Sequence, residues 1–342
     1  VAELDYKTAV RELGKSNVKP VYVCYGNEPY LIDDFIRRLT DKLVEPDERP
    51  FAVTKYDLAE TPLDTIIDDA ETLPFMVQKK LVIAANAIFM TGAKENAKLE
   101  HNSDRLIAYN KAPADYSVVL FIVAAEKLDE RKKVVKALKE ADRLVTCMAP
   151  SAEELTGWVA KQADKLGFSF APGALDEFLL YGGTHLQTLT QELEKCALFV
   201  GKGGTLTTDL VTELVTRTTE QNVFIMVEDL VQLKVDKSYT MLQELVKMKE
   251  EPIKILMLIA RQFRILYQVK DLTRQGYSGQ QIASQLSLHP YVVKLAAGQA
   301  ARYEQARLAA ILGELADLDY QMKTGRIDKL LGLELFMLRL AG

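Results

Sequence analysis

Five apolar runs of strand length, alternating with helical patterns, fill the first ~150 residues, and no comparable run follows Pro150. The runs are Val21 to Tyr25, Phe51 to Tyr56, Lys80 to Ala85, Ser117 to Ala124 and Arg143 to Cys147. Helical patterns lie between them at Tyr30 to Leu43, Leu63 to Ala70, Ser103 to Tyr109 and Glu130 to Ala141. Every connection is long enough for a right-handed crossover, so the pattern predicts a parallel sheet flanked by helices. The chain as a whole reads as α/β followed by all-α. Its 342 residues exceed what one compact core accommodates, and two or three domains are expected.

After Pro150, Ser151-Ala152-Glu153-Glu154 has the form of a capping box for a helix reaching Leu166. Helices follow at Pro172 to Leu180 and Leu186 to Val200, and Thr207-Thr208-Asp209 opens another. From Gln221 the helical period runs almost without interruption, broken by Glu251-Pro252, Gly276 to Gly279, His289-Pro290 and Lys323-Thr324-Gly325. Leu256, Ile259, Phe263, Leu266 and Val269 are spaced for one buried helix face.

The segment VYVCYGNEPYLIDDF, Val21 to Phe35, has the strand, turn and helix of a phosphate-binding loop. It lacks the ligand chemistry of GxxxxGK[ST]: Gly26 is followed by Asn27, Glu28, Pro29, Tyr30 and Leu31. Pro29 has no amide to donate, and Glu28, Asp33 and Asp34 place negative charge where a triphosphate would sit. A second requirement also fails. A magnesium-holding acidic strand end is replaced by Ala84-Ala85-Asn86-Ala87, and the run from Ser117 ends in the single carboxylate Glu126.

No catalytic constellation is visible. His101, His185 and His289 are far apart and read as core or capping residues; Cys24, Cys147 and Cys196 form no CxxC or Cys/His cluster, against zinc or a disulfide framework. No run is apolar enough to cross a bilayer, and VAELDYKTAV reads as an amphipathic helix, so a cytoplasmic protein is expected. The net charge of -5 is uneven: Pro252 to Gly342 carries 12 Lys and Arg against 7 Asp and Glu, the remainder 31 against 41. The basic end reads as a solvated helical surface or as a face for an acidic partner or nucleic acid.

One further segment reads either way. In ETLPFMVQKK, Glu71 to Lys80, Pro74 interrupts any helix and holds Leu73, Phe75 and Met76 at a corner between elements. Such residues either pack beneath a strand entrance or protrude as an apolar plug for a partner's pocket. Leu128 to Lys133, LDERKK, reads as the acidic start and basic next turn of a solvated helix, and Trp158 as a core residue beside Leu155.

In their order and spacing, several segments together resemble the delta subunit of the bacterial DNA polymerase III clamp loader. They are VYVCYGNEPYLIDDF, TLPFMVQKKLVI at Thr72 to Ile83, LDERKK, QELEKCALFV at Gln191 to Val200, EPIKILMLIARQFRILYQVKDL at Glu251 to Leu272, HPYVVKLA at His289 to Ala296 and DYQMKTG at Asp319 to Gly325. The resemblance implies an AAA+-like domain without a working ATP site at 1–148, a small helical lid at 149–216 and a helical collar for oligomerisation at 217–342. It implies a clamp-binding element at Leu73, Pro74, Phe75 and Met76, turning the corner's reading toward the plug. It further implies no catalytic, cofactor or metal residues in this chain, and ATP and magnesium on partner subunits only. The partners would be the sliding clamp, gamma/tau-type subunits and delta-prime in a pentamer, and primed DNA. Other readings of the residues are an ATP-binding switch with an unusual loop and a stand-alone DNA-binding module.

Overall fold

A computed structural model of the chain describes residues 4–93, 99, 101–232 and 234–341. The chain forms two compact units, Val1–Ala149 and Pro150–Gly342.

The first unit is built on a six-stranded sheet of β1 Leu4–Asp5, β2 Val21–Tyr25, β3 Val53–Asp57, β4 Lys80–Ala85, β5 Ser117–Val123 and β6 Leu144–Thr146. The order is β1-β6-β2-β5-β4-β3 and every ladder is parallel. β2 and β5 sit inside the sheet with Val21 opposite Val119, and all of β2 is buried. Burial on both faces explains why these strands are continuous apolar runs with no alternation. The helices Pro29–Leu43, Leu63–Glu71, Ser103–Lys111 and Lys133–Glu140 supply the crossovers. Phe121, Phe89, Ile66, Ile67, Leu106 and Leu138 belong to one core cluster on the sheet.

Three local expectations are corrected. Leu4–Asp5, expected in the first helix, instead pairs with β6, and the helix starts at Tyr6 under the Asp5 carboxylate, which accepts from the Thr8 amide. Residues 1–3 lie outside the described residues. Phe51 is not in a strand: Arg49–Ala52 forms a helical turn and β3 begins at Val53. The helix expected from Glu130 begins at Lys133 and has no acidic residue in its first turn. Asp129 instead accepts from the Arg131 amide and guanidinium at 3.1 and 2.9 Å, which holds 129–131 as a turn.

The second unit is mostly helical. Ser151 and Glu154 form the capping box of Ala152–Leu166, and Ala174–Gly182, Leu186–Val200 and Thr208–Leu214 follow. Contrary to the expectation that strands end at Pro150, Ser169–Phe170 (β7) and Thr205–Leu206 (β8) pair in parallel. Beyond them come Thr219–Val231, Val235–Lys247, Pro252–Arg274, Gly279–Leu286, Pro290–Ala300, Gln305–Lys323 and Lys329–Ala341. Four breaks fall at the expected Pro and Gly signals, with Pro252 and Pro290 in first helical turns and Ser278 capping the helix that starts at Gly279, but two unexpected ones, after Val231 and after Ala300, carry neither residue. Leu256, Ile259, Phe263, Leu266 and Val269 are all buried in one cluster, as their spacing requires. Among the described residues, no helix is long and apolar enough to cross a membrane.

Candidate functional site

The loop after β2 is closed by its own hydrogen bonds. Gly26 N–H donates to the Val123 carbonyl at 3.3 Å, and Glu28 N–H donates to the Cys147 carbonyl at 3.1 Å. Tyr30 N–H donates to the Glu28 carboxylate, so an acidic side chain caps the helix that would otherwise present amides to an anion. Gly26 has φ 154°, and a Cβ there would lie 1.9 Å from the Cys147 oxygen, so a carbonyl fills the space beside the loop. Asn27, which sequence reasoning passed over, stitches the loop to its surroundings. Its amide nitrogen donates to Glu126 at 2.8 Å, and its oxygen accepts from the Ala149 amide at 2.9 Å.

The adjoining strand ends are closed as well. Asn86, past the end of β4, donates to both oxygens of Asp57 at 2.9 and 3.0 Å. That hydrogen bond, with another from the Ala59 amide, holds the Asp57 carboxyl below its usual range. Cys24, Cys147 and Cys196 are buried free thiols. Burial, then the Cys147 thiol, pushes the Cys24 pKa well up, which keeps that thiol protonated and unreactive. Among the described residues, no group of three or more His, Cys, Asp or Glu side chains could hold a metal ion.

The corner between Leu63–Glu71 and β4 has the opposite character. Leu73, Phe75 and Met76 are 73%, 77% and 83% exposed, with Pro74 half-buried between them. Exposure on this scale excludes the reading of the three as core residues packed beneath the strand. Met76 has φ 61°, a left-handed conformation that turns the chain sharply at the tip.

Both ends of this loop are fixed. On the helix side, the Thr72 hydroxyl donates to the Asp68 carbonyl at 2.7 Å, and Tyr116 O–H donates to the Glu71 carbonyl. The Arg105 guanidinium pairs with Asp68 and, at 3.2 Å, with Glu71. On the strand side, Lys80 is only 5% exposed, and its ammonium donates to the Asp69 carbonyl and lies 3.1 Å from the Asp69 carboxylate. The lysine at the start of an apolar strand run is the one sequence signal for this anchoring. Arg105 and Tyr116 come from distant segments and gave none.

The histidines are not brought together as a catalytic group. His289 caps Pro290–Ala300, its Nδ1 accepting from the Tyr291 amide at 3.1 Å, while Nε2 is buried without a hydrogen-bond partner. Burial, then the nearby His185, lowers the His289 pKa to about 4. His101 packs against Phe89. Trp158 is half-buried, and Leu155 beside it is fully buried.

Comparison with known proteins gives a consistent result. Residues 22–148 match the family model of the DNA polymerase III delta subunit, and residues 220–340 match that of the delta subunit's C-terminal domain. The chain is 41% identical over 330 residues to DNA polymerase III subunit delta of Bacillus subtilis (strain 168), covering 96% of this chain and 95% of that protein. It is 23% identical over 258 residues to the probable DNA polymerase III subunit delta of Aquifex aeolicus (strain VF5), covering 75% and 72%. The solved structure of the Bacillus subtilis DNA clamp loader delta protein YqeN superposes with a TM-score of 0.78 at 40% identity, covering 98% of this chain and 99% of that one.

Proposed function

This chain belongs to the DNA polymerase III delta-subunit family, and on that premise we propose that Leu73, Pro74, Phe75 and Met76 bind the sliding clamp and hold its ring open for loading on primed DNA. As a clamp-loader delta subunit it is an accessory subunit of the DNA polymerase III holoenzyme. The observation that carries the clamp-binding reading is the exposure of Leu73, Phe75 and Met76 on a loop fixed at both ends.

Each such side chain buried in an apolar pocket contributes about 1.5–3 kcal/mol before association costs, so three can trap a sprung ring. Opening follows if the plug binds the opened clamp better than the closed one. Only that difference in affinity shifts the ring's population.

ATP and magnesium then belong on gamma/tau-type partner subunits, with delta-prime completing the pentamer, and this chain acts without catalysis of its own in the cytoplasm. Support for that division comes from the loop at Gly26, where the Gly26 and Glu28 amides and the Asn27 side chain are already engaged within the chain. Within this reading, 1–148 is the AAA+-like clamp-binding domain, 149–216 the lid and 217–342 the collar.

The test is a titration of the full chain against the sliding clamp. Leu73→Ala combined with Phe75→Ala should weaken binding at least about 100-fold, the loss expected for two interface anchors. Unchanged affinity would overturn the plug assignment.

A further inference from the structure

Phe51 is 71% exposed, although large aromatic side chains are mostly covered in folded proteins. Its turn, Arg49–Ala52, ends where β3 begins. β3 and β4 are parallel neighbours with Val53 opposite Leu81, so the chain enters both strands at the same end of the sheet. The plug loop leads directly into β4 at Lys80. Phe51 and the plug therefore occupy the same, amino end of the sheet, at adjacent strands.

Among the described residues of this unit, the large apolar side chains left exposed are Phe51, Leu73, Phe75, Met76 and Ile88. Ile88 follows the carboxyl end of β4, the full strand away from the plug. Exposed apolar surface thus gathers at one end, and Phe51 is its member outside the plug.

Area sets the second step. At roughly 150–250 Å² for a large aromatic side chain, and less for Leu or Met, the three plug residues together offer under about 750 Å². A stable protein interface takes about 800 Å² from each partner. A clamp seated on the plug must cover neighbouring surface as well, and Phe51 is the apolar residue placed to receive it.

The Phe51 backbone is also held in place. Pro50 fixes the first helical turn, the Arg49 guanidinium lies 2.7 Å from Asp41, and Ala52 is fully buried. An aromatic ring on so constrained a support loses little freedom on binding.

We propose that Phe51 is a second anchor for the sliding clamp, contacting the clamp surface beside the pocket that takes the plug. The inference rests on the plug reading above and extends its footprint to β3. The full chain is titrated with the ring-shaped sliding clamp by calorimetry, as wild type, Phe51→Ala, Ile88→Ala and the Leu73→Ala/Phe75→Ala pair, and each is sized alone by sedimentation. Phe51→Ala should weaken clamp binding about tenfold with an unchanged melting temperature, Ile88→Ala should stay within about twofold, and the plug pair should lose far more. Loss with the plug pair but wild-type affinity for Phe51→Ala overturns the second anchor and leaves the plug intact. Loss with Phe51→Ala alone removes the plug and overturns the inference of a second anchor beside it. Wild-type affinity for both variants overturns both. If Phe51→Ala instead abolishes self-association of the chain, the surface serves a second copy and the inference fails.

Discussion

The Cys147 carbonyl oxygen occupies the space where a side chain at Gly26 would begin, 1.9 Å from the ideal Cβ position. The same oxygen accepts the Glu28 amide, so it cannot retreat without breaking the loop's closure. Gly26→Ala should therefore destabilise the first unit by about 3–5 kcal/mol, the range for a substitution that meets rigid backbone at an unfavourable φ. Guanidinium unfolding followed by circular dichroism checks this. A change below about 1 kcal/mol would mean that β6 yields easily.

Nucleotide binding offers an independent check on the closed loop. Calorimetry of the isolated chain with ATP and magnesium should give no saturable heat up to about 1 mM, a bound on affinity near 4 kcal/mol. Micromolar binding would restore the reading of the chain as an ATP-binding switch.

Lys80 should matter to stability and to clamp binding together. Its ammonium is almost fully buried against Asp69, so Lys80→Met strands a carboxylate that is itself mostly covered. A loss of about 1–3 kcal/mol is expected in urea unfolding. Clamp affinity should fall a few-fold as well, because the pin sets where the plug loop ends. Loss of stability with wild-type clamp affinity would show that the loop holds its shape without this pin.

His289 gives the second unit a pH dependence with a definite sign. Burial, with His185 nearby, lowers its folded pKa to about 4, below the ordinary 6.5. Between those values the unfolded chain binds a proton that the folded chain does not. The stabilisation is thus complete above pH 6.5, declines as pH falls and is gone below about 4. After allowance for solvent screening of a half-exposed ring, the decline should be on the order of 1–2 kcal/mol. His289→Asn keeps a capping side chain and removes the titration, so its melting temperature should fall less over the same range. An equal fall in both proteins would assign the acid sensitivity elsewhere.

The sheet was legible in the sequence because strands buried on both faces must be continuous apolar runs, and the interior strands β2, β4 and β5 are such runs. The helical region was legible where it is punctuated, since Pro and Gly act through local backbone geometry that needs no tertiary context, whereas the breaks after Val231 and Ala300, which carry neither, were not. Leu4–Asp5, β7 and β8 were not: two-residue strands carry no periodicity and exist only because a distant partner is in place. Phe51 misled for a related reason. A phenylalanine ahead of β-branched residues suits a strand, but Pro50 and the turn it favours decide the backbone there.

At the candidate site, the exposed corner could be located from Pro74 and its apolar neighbours, but its exposure could not. Exposure depends on what the rest of the fold leaves uncovered. The closure of the Gly26 loop was half legible. The missing lysine and the proline could be read directly, whereas Asn27 acts through Glu126 and Ala149, which lie far along the chain.

The pinned ends of the plug loop have a kinetic consequence. A loop already held in shape needs no search for its bound conformation, so encounter with the clamp is governed by diffusion and orientation. Substitutions at Leu73, Phe75 or Met76 then leave the association rate nearly constant and shorten the lifetime of the complex. The apolar tip becomes a timer, setting how long an opened ring stays in hand.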